Sequence, residues 1–344
     1  MEIVAVGART PVGLTAETTA AAVRGGISRL REFPFANPGG EPIVVAADGQ
    51  LATSLEGRER LLPMLQHTLD QVMRKLAQGK SHRGKTQVFL VLPEERPGFS
   101  GRDATWVSGA VHAAFRAQQI EVEVETKGRG HAGGIRAVEA VVRDCAGSPR
   151  TLFLVLGVDS YHHPETLLWL ERRRQCSQPG VRGGFFPGEG AACLALAGAD
   201  LRARLGLPGL AAVRGAQTAR EARLRDSETG SLGVGATQAV QGATAGLELP
   251  KRAVDAVYID INGERYRSEE WGFVAMRTGQ AFKSFKYEAP ADCWGDVGAA
   301  WAPLAGALVV QSFARGYAPG PRALVLAGSE GGMRGAMLLE RISR

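Results

Sequence analysis

Cysteine is scarce in this sequence, and the spacing of its few copies argues against several kinds of site. The four cysteines are Cys145, Cys176, Cys193 and Cys293, and no two of them form a C-x-x-C pair. This spacing is not that of a zinc site or of the disulfide framework of a small secreted domain. Cys193 lies in an apolar segment typical of a buried strand, where cysteine acts as a small core side chain. The cysteine usage favours a reducing compartment, so we expect a cytoplasmic protein.

Aromatic residues and long apolar runs are also few. Aromatics make up 6% of the 344 residues, and the arginines behind the net charge of +6 are scattered. Nucleic-acid binding usually requires a clustered basic surface, so we expect no nucleic-acid partner. No apolar run reaches the ~18 residues that indicate a membrane helix, so we expect no membrane span. The chain enters a strand pattern at once, without the charged and apolar regions of a signal peptide.

Patterns that would indicate a cofactor are missing as well. His162 and His163 are adjacent, but no further ligands follow at a fixed spacing, so we predict a surface turn there rather than a metal site. The glycine-rich turns at 7–13 and 328–332 match neither the dinucleotide fingerprint nor the P-loop pattern. We therefore expect neither a bound metal ion nor an organic cofactor.

What the sequence contains instead is an alternation of strands and helices, which is typical of an α/β fold. The segment 120–125 differs from the other strands because apolar residues and glutamates alternate strictly in it. This pattern indicates an edge strand or a strand at a subunit interface. Short apolar runs predict the other strands at 2–8, 88–93, 151–159, 191–198, 256–263 and 323–328, and helical patterns lie at 57–77 and 101–117.

The two halves of the chain repeat one another. The segments that begin at Gly130 and at Gly295 follow the same order. Each has a glycine, a polar residue, a helix start of small residues, an apolar helix, a Pro-Arg turn and a strand. A second pair of matching segments begins at Val88 and Val257, so the offsets are 165 and 169 residues (295 − 130 and 257 − 88). Two matches at nearly one offset indicate a duplicated α/β half.

The duplication gives His131 and Asp296 equivalent positions. We place the two halves at 1–205 and 206–344. His131 follows Gly130, which we predict to open a helix whose first turn is made of small residues. If a pseudo-twofold axis relates the halves, the two helix N-termini converge near the centre of the molecule. We therefore expect the side chains of His131 and Asp296 to lie close together.

Three segments carry a resemblance that covers nearly the whole chain. They are the opening strand, turn and helix at 3–30, the Gly-Glu-Gly before a buried strand at 183–197, and the closing glycine-rich turn and strand at 325–340. In this order the segments resemble the thiolase-like superfamily, in particular the β-ketoacyl-ACP synthases. The resemblance implies a thiolase-like fold, with two duplicated α/β halves in α-β-α-β-α layers. It also implies a homodimer that pairs the edge strand at 120–125.

The resemblance implies a degenerate active site. Family members use a cysteine that accepts the acyl chain, with two histidines, or a histidine and an asparagine, that assist it. The cysteine aligns here with His131, the first histidine with Asn262 and the second with Asp296. We therefore expect no catalytic residue and no enzyme activity. A helix N-terminus favours neutral His131, whereas Asp296 favours its charged form, so its charge stays open.

A thiolase-fold protein without its catalytic groups is expected to act by binding another protein. The resemblance implies two such roles. The first, which we rank higher, is an adaptor in a bacterial type VI secretion cluster that helps to load an effector, with the effector or another secretion component as its partner. The second is an inactive partner of a ketosynthase, similar to a chain length factor. The bulky charged segment at 264–267 is expected to fill or gate an acyl tunnel.

An enzyme that acts on an acyl thioester or a β-keto acid is the alternative hypothesis, with acyl carrier protein as its partner. His131 would be the general base, Asp296 would orient it, and Asn262 would hold an oxyanion. Convergence of these three side chains on an open pocket would favour the enzyme. A pocket plugged by Arg265 or Tyr266 would favour the binding protein.

Overall fold

Strands and helices alternate along the chain, as the apolar runs predict. The computed structural model describes residues 1–36, 39–144, 147–178 and 181–342. The strands are β1 (Glu2–Arg9), β2 (Leu30–Ala36), β3 (Pro42–Ala46), β4 (Thr86–Leu92), β5 (Val122–Arg129), β6 (Leu152–Ser160), β7 (Glu189–Ala197), β8 (Ala211–Arg220), β9 (Ala256–Ile259), β10 (Arg322–Gly328) and β11 (Met333–Glu340). The helices are α1 (Ala16–Arg24), α2 (Gly57–Leu76), α3 (Gly101–Ala117), α4 (Gly133–Asp144), α5 (Pro164–Arg172), α6 (Ala199–Leu205), α7 (Val234–Thr244), α8 (Arg265–Arg277), α9 (Ala291–Trp294) and α10 (Trp301–Ala314).

Nine strands form one mixed sheet whose two parts repeat the same topology. The strand order is β5-β4-β6-β7-β1-β8-β11-β10-β9, while β2 and β3 pair separately. In the first part β4 is parallel to β6, β6 is antiparallel to β7, and β7 is antiparallel to β1. In the second part β9 is parallel to β10, β10 is antiparallel to β11, and β11 is antiparallel to β8. The duplicated α/β halves that the sequence predicts are therefore confirmed, whereas their boundary after residue 205 stays a prediction.

The two parts of the sheet enclose a central layer of helices. Alternate residues of a strand face opposite sides, and in β4 Val88 packs with α2 and α3 while Phe89 packs with α4 and α10. On the other part of the sheet, Leu324 of β10 packs with α7 and α8, and Val325 packs with the central helices. The result is the predicted succession of α-β-α-β-α layers. Because both faces of these strands are buried, their sequences are continuous apolar runs.

The central helix α10 and the edge strand β5 have sequences that match their positions. Residues 301–313 of α10 are all buried, which explains why only two of them, Gln311 and Ser312, are polar. The strand β5 lies at one end of the sheet order, so the prediction of an edge strand is confirmed. Its pairing with a second subunit stays a prediction. None of the helices in the described ranges is both long enough and apolar enough to cross a membrane.

The helix that we predict to open at Gly130 begins later, at Gly133. Gly130 has a φ of 65°, in the left-handed region, and therefore belongs to the turn between β5 and α4. His131 consequently lies in this turn, two residues before the helix. The prediction of a helix start at Gly130 was wrong by three residues, because backbone geometry rather than the run of small residues decides where the helix begins.

Candidate functional site

Two glycines in matching turns bring His131 and Asp296 to the centre of the molecule. Gly130 and Gly295 precede these residues and have φ angles of 65° and 73°. A Cβ atom on Gly130 would lie 2.7 Å from a carboxylate oxygen of Glu94, and one on Gly295 would lie 2.7 Å from a backbone oxygen. The positive φ favours glycine at both positions. At Gly295 the nearby backbone also leaves no space for a side chain, whereas at Gly130 the close atoms are the ends of the Glu94 and Ser329 side chains.

The side chains of His131 and Asp296 form a buried pair, which is the close approach that the duplication predicts. The Nε2 atom of His131 lies 2.8 Å from Oδ1 and 3.0 Å from Oδ2 of Asp296. Each residue is only 4% exposed. The pair joins the two halves of the chain, because the two residues are 165 positions apart.

Asp296 also accepts hydrogen bonds from three further donors. The Asn262 amide donates to Oδ2 over 2.6 Å, the Tyr161 hydroxyl donates to Oδ1 over 3.1 Å, and the Gly298 amide donates to Oδ1 over 2.9 Å. Sequence reasoning identified Asn262 but missed Tyr161. The sequence feature that could have identified Tyr161 is its position directly after the buried strand β6, because polar groups often gather at the ends of strands in an α/β sheet. The carboxylate is saturated by groups of this chain.

The buried pair has shifted proton affinities. Burial disfavours the charged form of Asp296, but His131, Arg267 and the Asn262 hydrogen bond outweigh it, so the pKa of Asp296 lies well below its usual range. Burial likewise disfavours the imidazolium, yet the carboxylate of Asp296 outweighs it, so the pKa of His131 is raised above its usual value. The charge that the sequence left open is therefore positive on His131 across a wider pH range than in a free histidine.

Asn262 has no amide hydrogen left for an oxyanion. Its Nδ2 donates to Asp296 and, over 3.2 Å, to Glu264, while its Oδ1 accepts from the Glu264 backbone over 3.0 Å. An amide group carries two donor hydrogens, and both have acceptors here. The side chain orients Asp296 and closes the loop before α8.

The segment 264–267 does not plug the site in the way that we expected. The side chain of Arg265 is 87% exposed and pairs with Glu269 one turn further along α8. Tyr266 is buried, but it lines a separate cavity of about 30 Å³. Arg267 is the residue that points inward, since its guanidinium donates to Asp260 over 2.6 Å and to Glu264 over 3.1 Å.

A pocket of about 410 Å³ lies beside His131, and neither Asn262 nor Asp296 lines it. The three residues therefore meet one another, but only His131 reaches the pocket. This arrangement differs from both expectations, since the pocket is open and yet the predicted set of three does not converge on it. The Asp296 carboxylate and the Asn262 amide lie behind the imidazole.

The three cysteines in the described ranges are buried thiols with low reactivity. Cys176, Cys193 and Cys293 are buried and unpaired, and burial raises the pKa of each thiol, that of Cys176 to about 12. A thiol with a raised pKa is a poor nucleophile at neutral pH. Cys145 lies outside the described residues.

Of the two adjacent histidines, His162 is buried, so the prediction of a surface turn was wrong for His162. Its Nδ1 lies 3.0 Å from Glu189, and both side chains are fully buried. Arg60 pairs with the same carboxylate over 2.5 and 2.8 Å. His163 accepts a hydrogen bond from the Glu165 amide and caps α5. Within the described ranges, no group of three or more acidic, histidine or cysteine side chains is placed to hold a metal ion.

Solved structures with the same architecture extend over nearly the whole chain. A β-ketoacyl synthase from Burkholderia phymatum STM815 matches with a TM-score of 0.77 at 14% identity, covering 99% of both chains. The chain has the thiolase-like fold. The ishigamide ketosynthase/chain length factor matches with a TM-score of 0.67 at 18% identity, also covering 99% of both chains. The ketosynthase in complex with a type II polyketide synthase acyl carrier protein matches with a TM-score of 0.76 at 12% identity and 99% coverage of both chains.

No family model and no curated protein matches the sequence. At identities of 12–18% the solved structures establish the fold alone. They include both ketosynthases and chain length factors. The function therefore depends on the groups that occupy the site.

Proposed function

We propose that this protein is a ketosynthase-like protein that has lost the condensing reaction and acts by binding a protein partner. The observation that supports the proposal is the set of hydrogen bonds that the buried Asp296 carboxylate accepts from groups of this chain. The carboxylate is engaged by His131, Asn262, Tyr161 and Gly298, so the groups at the three catalytic positions satisfy one another. Condensation needs a nucleophile that holds the acyl chain and donors that hold the thioester oxygen. None of these positions holds a cysteine, and neither Asn262 nor Asp296 has a free hydrogen-bond donor.

The chemistry of His131 supports the loss of the acyl-carrier step. The family's carrier is a thiolate, whereas an acyl-imidazole hydrolyses readily and is a poor carrier for condensation. In addition, the nucleophilic form of histidine is neutral, and the neighbouring Asp296 raises the pKa of His131. The pair therefore favours the form that is least able to attack a thioester.

The sequence resemblance implies the first specific version of this role. In it, the protein is an adaptor in the cytoplasm that helps to load an effector in type VI secretion. A partnership with a ketosynthase, similar to that of chain length factors, is the second version. The ishigamide ketosynthase/chain length factor and the ketosynthase ApeO in complex with its chain length factor ApeC support it, since both have this fold. The two versions differ in the partner that they require.

The partner is identified by affinity purification of the tagged protein from its own host, followed by mass spectrometry. Complexes are then rebuilt from purified components with wild type and with His131→Gln, which keeps a polar side chain at the site. We expect one stoichiometric protein partner that binds both versions with equal affinity. Recovery of acyl carrier protein alone, lost in His131→Gln, would contradict the proposal.

One observation favours an enzyme as the second candidate function. The Nδ1 atom of His131 has no hydrogen-bond partner within the described part of the chain, and the residue lines the pocket. A histidine oriented by a carboxylate, with its other nitrogen free, is a recurring general base. Its raised pKa opposes this role, because a base must be unprotonated. Thioester hydrolysis that disappears in His131→Gln would establish the enzyme.

A further inference from the structure

The arginines that are scattered along the sequence meet on one surface of the folded chain. They come from three segments, which are residues 169–178 and 181–183 from the end of α5 onward, residues 221–228 after β8, and residues 264–269 at the start of α8. Arg173 and Arg225 both pair with the Asp226 carboxylate, over 2.9 and 3.0 Å. Arg225 also lies 3.6 Å from Glu264. The three segments therefore form one surface, which we call the arginine face.

More cationic than anionic side chains reach the solvent on the arginine face. In these described segments the seven exposed or half-buried arginines are Arg172, Arg173, Arg174, Arg182, Arg223, Arg225 and Arg265. The four acidic residues with such exposure are Glu171, Asp226, Glu228 and Glu269. The difference of +3 (7 − 4) is half of the net charge of +6 that the whole chain carries.

Several of these positive charges have no compensating acidic group within the described residues. Arg172, Arg182 and Arg223 are exposed and make no ion pair there. The Asp226 carboxylate is shared by two arginines, so it compensates only one of their two charges. Like charges that gather without partners repel one another and destabilise the folded chain. Carboxylates of a second molecule would relieve this repulsion, because their charge is complementary to that of the face.

The centre of the arginine face is held in place by contacts within the chain. The guanidinium carbon of Arg173 lies 5.1 Å from the centre of the Trp169 ring, and Nε of Arg173 donates to the Gln175 side chain over 2.8 Å. The Arg225 side chain is only 23% exposed. Side chains that are already fixed lose little conformational entropy when a partner binds. Tryptophan and arginine are also enriched among the residues that contribute most to binding at protein interfaces.

The composition of the face favours a protein over a nucleic acid as its partner. Four acidic residues lie among the arginines, and they repel the evenly spaced phosphates of a nucleic acid. Trp169 is the single aromatic residue of the described segments that is not buried, whereas single strands of nucleic acid stack on several aromatic rings. The carboxylate of a protein side chain, in contrast, matches the planar guanidinium group one to one.

We propose that the arginine face binds an acidic segment of a protein partner. Carboxylates of that segment pair with Arg172, Arg182 and Arg223, the arginines that lack an acidic group in the described part of this chain. The inference rests on the proposed function, since it assigns a surface and a partner of negative charge to the same binding role.

The test measures the binding of a fluorescent glutamate-rich peptide to the full chain by anisotropy. The salt concentration is about 0.15 M, at which exposed charges are screened beyond about 8 Å. Wild type is compared with the double variant Arg172→Glu/Arg223→Glu, which reverses two exposed charges without removing an ion pair from the described residues. The matched control is Arg83→Glu/Arg116→Glu, which changes the net charge equally at two exposed arginines that precede β4 and end α3.

We expect the peptide to bind wild type with a Kd of about 1 mM or tighter, and to bind the face variant about tenfold or more weakly. The control variant is expected to lose much less, because its two arginines lie outside the face. Equal losses in the two double variants would indicate attraction to net charge alone and would overturn the proposal, as would a lack of binding to wild type. Tighter binding of an oligonucleotide of equal charge, lost in the face variant, would overturn it in favour of a nucleic acid.

The partner recovered by affinity purification gives a second reading that separates the two proposals. A partner that binds Arg172→Glu/Arg223→Glu as tightly as wild type would overturn the role of the arginine face but leave the proposed function intact. Failure to recover any partner would contradict the proposed function, and the peptide measurement would still decide the binding property of the face.

Discussion

Replacing Asp296 by asparagine is the perturbation that most sharply tests the buried pair. The substitution keeps the size of the side chain but removes the charge and turns one acceptor oxygen into a donor. Four groups donate to this carboxylate, from His131, Asn262, Tyr161 and Gly298. Removing one partner of a buried ion pair typically costs about 3–5 kcal/mol of unfolding free energy. We expect a loss of that size, which is a large part of the ~5–15 kcal/mol that stabilises a typical protein.

The loss is expected to depend on pH in a definite direction. The pKa of His131 is raised on folding, so its contribution is complete below the ordinary value of about 6.5 and fades as the pH rises through the folded value. The pKa of Asp296 is depressed, so its contribution is complete above the ordinary value of about 3.9 and fades as the pH falls through the folded value. The difference between wild type and Asp296→Asn is therefore largest between about pH 4 and pH 6.5.

Urea unfolding of both proteins across this pH range measures the effect. Asp226→Asn is the control, because the Asp226 side chain is 68% exposed and pairs with Arg173 and Arg225 at the surface. Such pairs contribute about 0–1 kcal/mol. A loss in Asp296→Asn no larger than that in Asp226→Asn would refute the reasoning. A His131 pKa below about 6.5 in an NMR titration would refute it as well.

Two further predictions concern the stability of the fold around the site, and they change Gly130 and Arg60. Gly130→Ala is expected to lower the free energy of unfolding by about 3 kcal/mol or more, because it strains the backbone and displaces the hydrogen-bonded side-chain ends of Glu94 and Ser329. Gly206→Ala, with the same φ of 65° and open space around it, is expected to lower it by about 1–2 kcal/mol. Equal losses in urea unfolding would contradict the steric argument. Arg60→Met is expected to lower the free energy of unfolding by about 3–5 kcal/mol, because it removes the guanidinium that donates two hydrogen bonds to the buried Glu189 carboxylate. Arg265→Ala, at an exposed pair, is expected to stay within about 0.5 kcal/mol, and similar thermal unfolding of these two variants would contradict that account.

The architecture was predictable because its strands are buried on both faces. Such strands appear as apolar runs, and the repeat of these runs at one offset predicted the duplicated halves. The strand β8 escaped this reasoning, since its continuous apolar run covers only the first three residues, Ala211 to Val213, before Arg214 interrupts it. Its remaining residues are partly buried or, at Arg214 and Arg220, exposed, so they carry neither an apolar run nor a strict alternation.

The centre of the site was predictable in part. The equivalent positions of His131 and Asp296 predicted that they would meet, because a duplicated fold carries equivalent turns to equivalent places. The sequence did not predict that Tyr161 joins them, since that contact depends on how the turn after β6 folds back. The outward direction of Arg265 was also missed. It depends on the phase of α8, and a charged run does not reveal which of its members faces inward.

The measurement that tests the central claim most directly is the release of free thiol from acyl thioesters of coenzyme A and of acyl carrier protein. The assay compares wild type with His131→Gln at matched folded concentrations. If His131, Asn262 and Asp296 only bind one another, as the proposed function holds, both proteins give the background rate. Thiol release by wild type that His131→Gln abolishes, with the fold intact, would contradict the account and show that the imidazole still performs acyl chemistry.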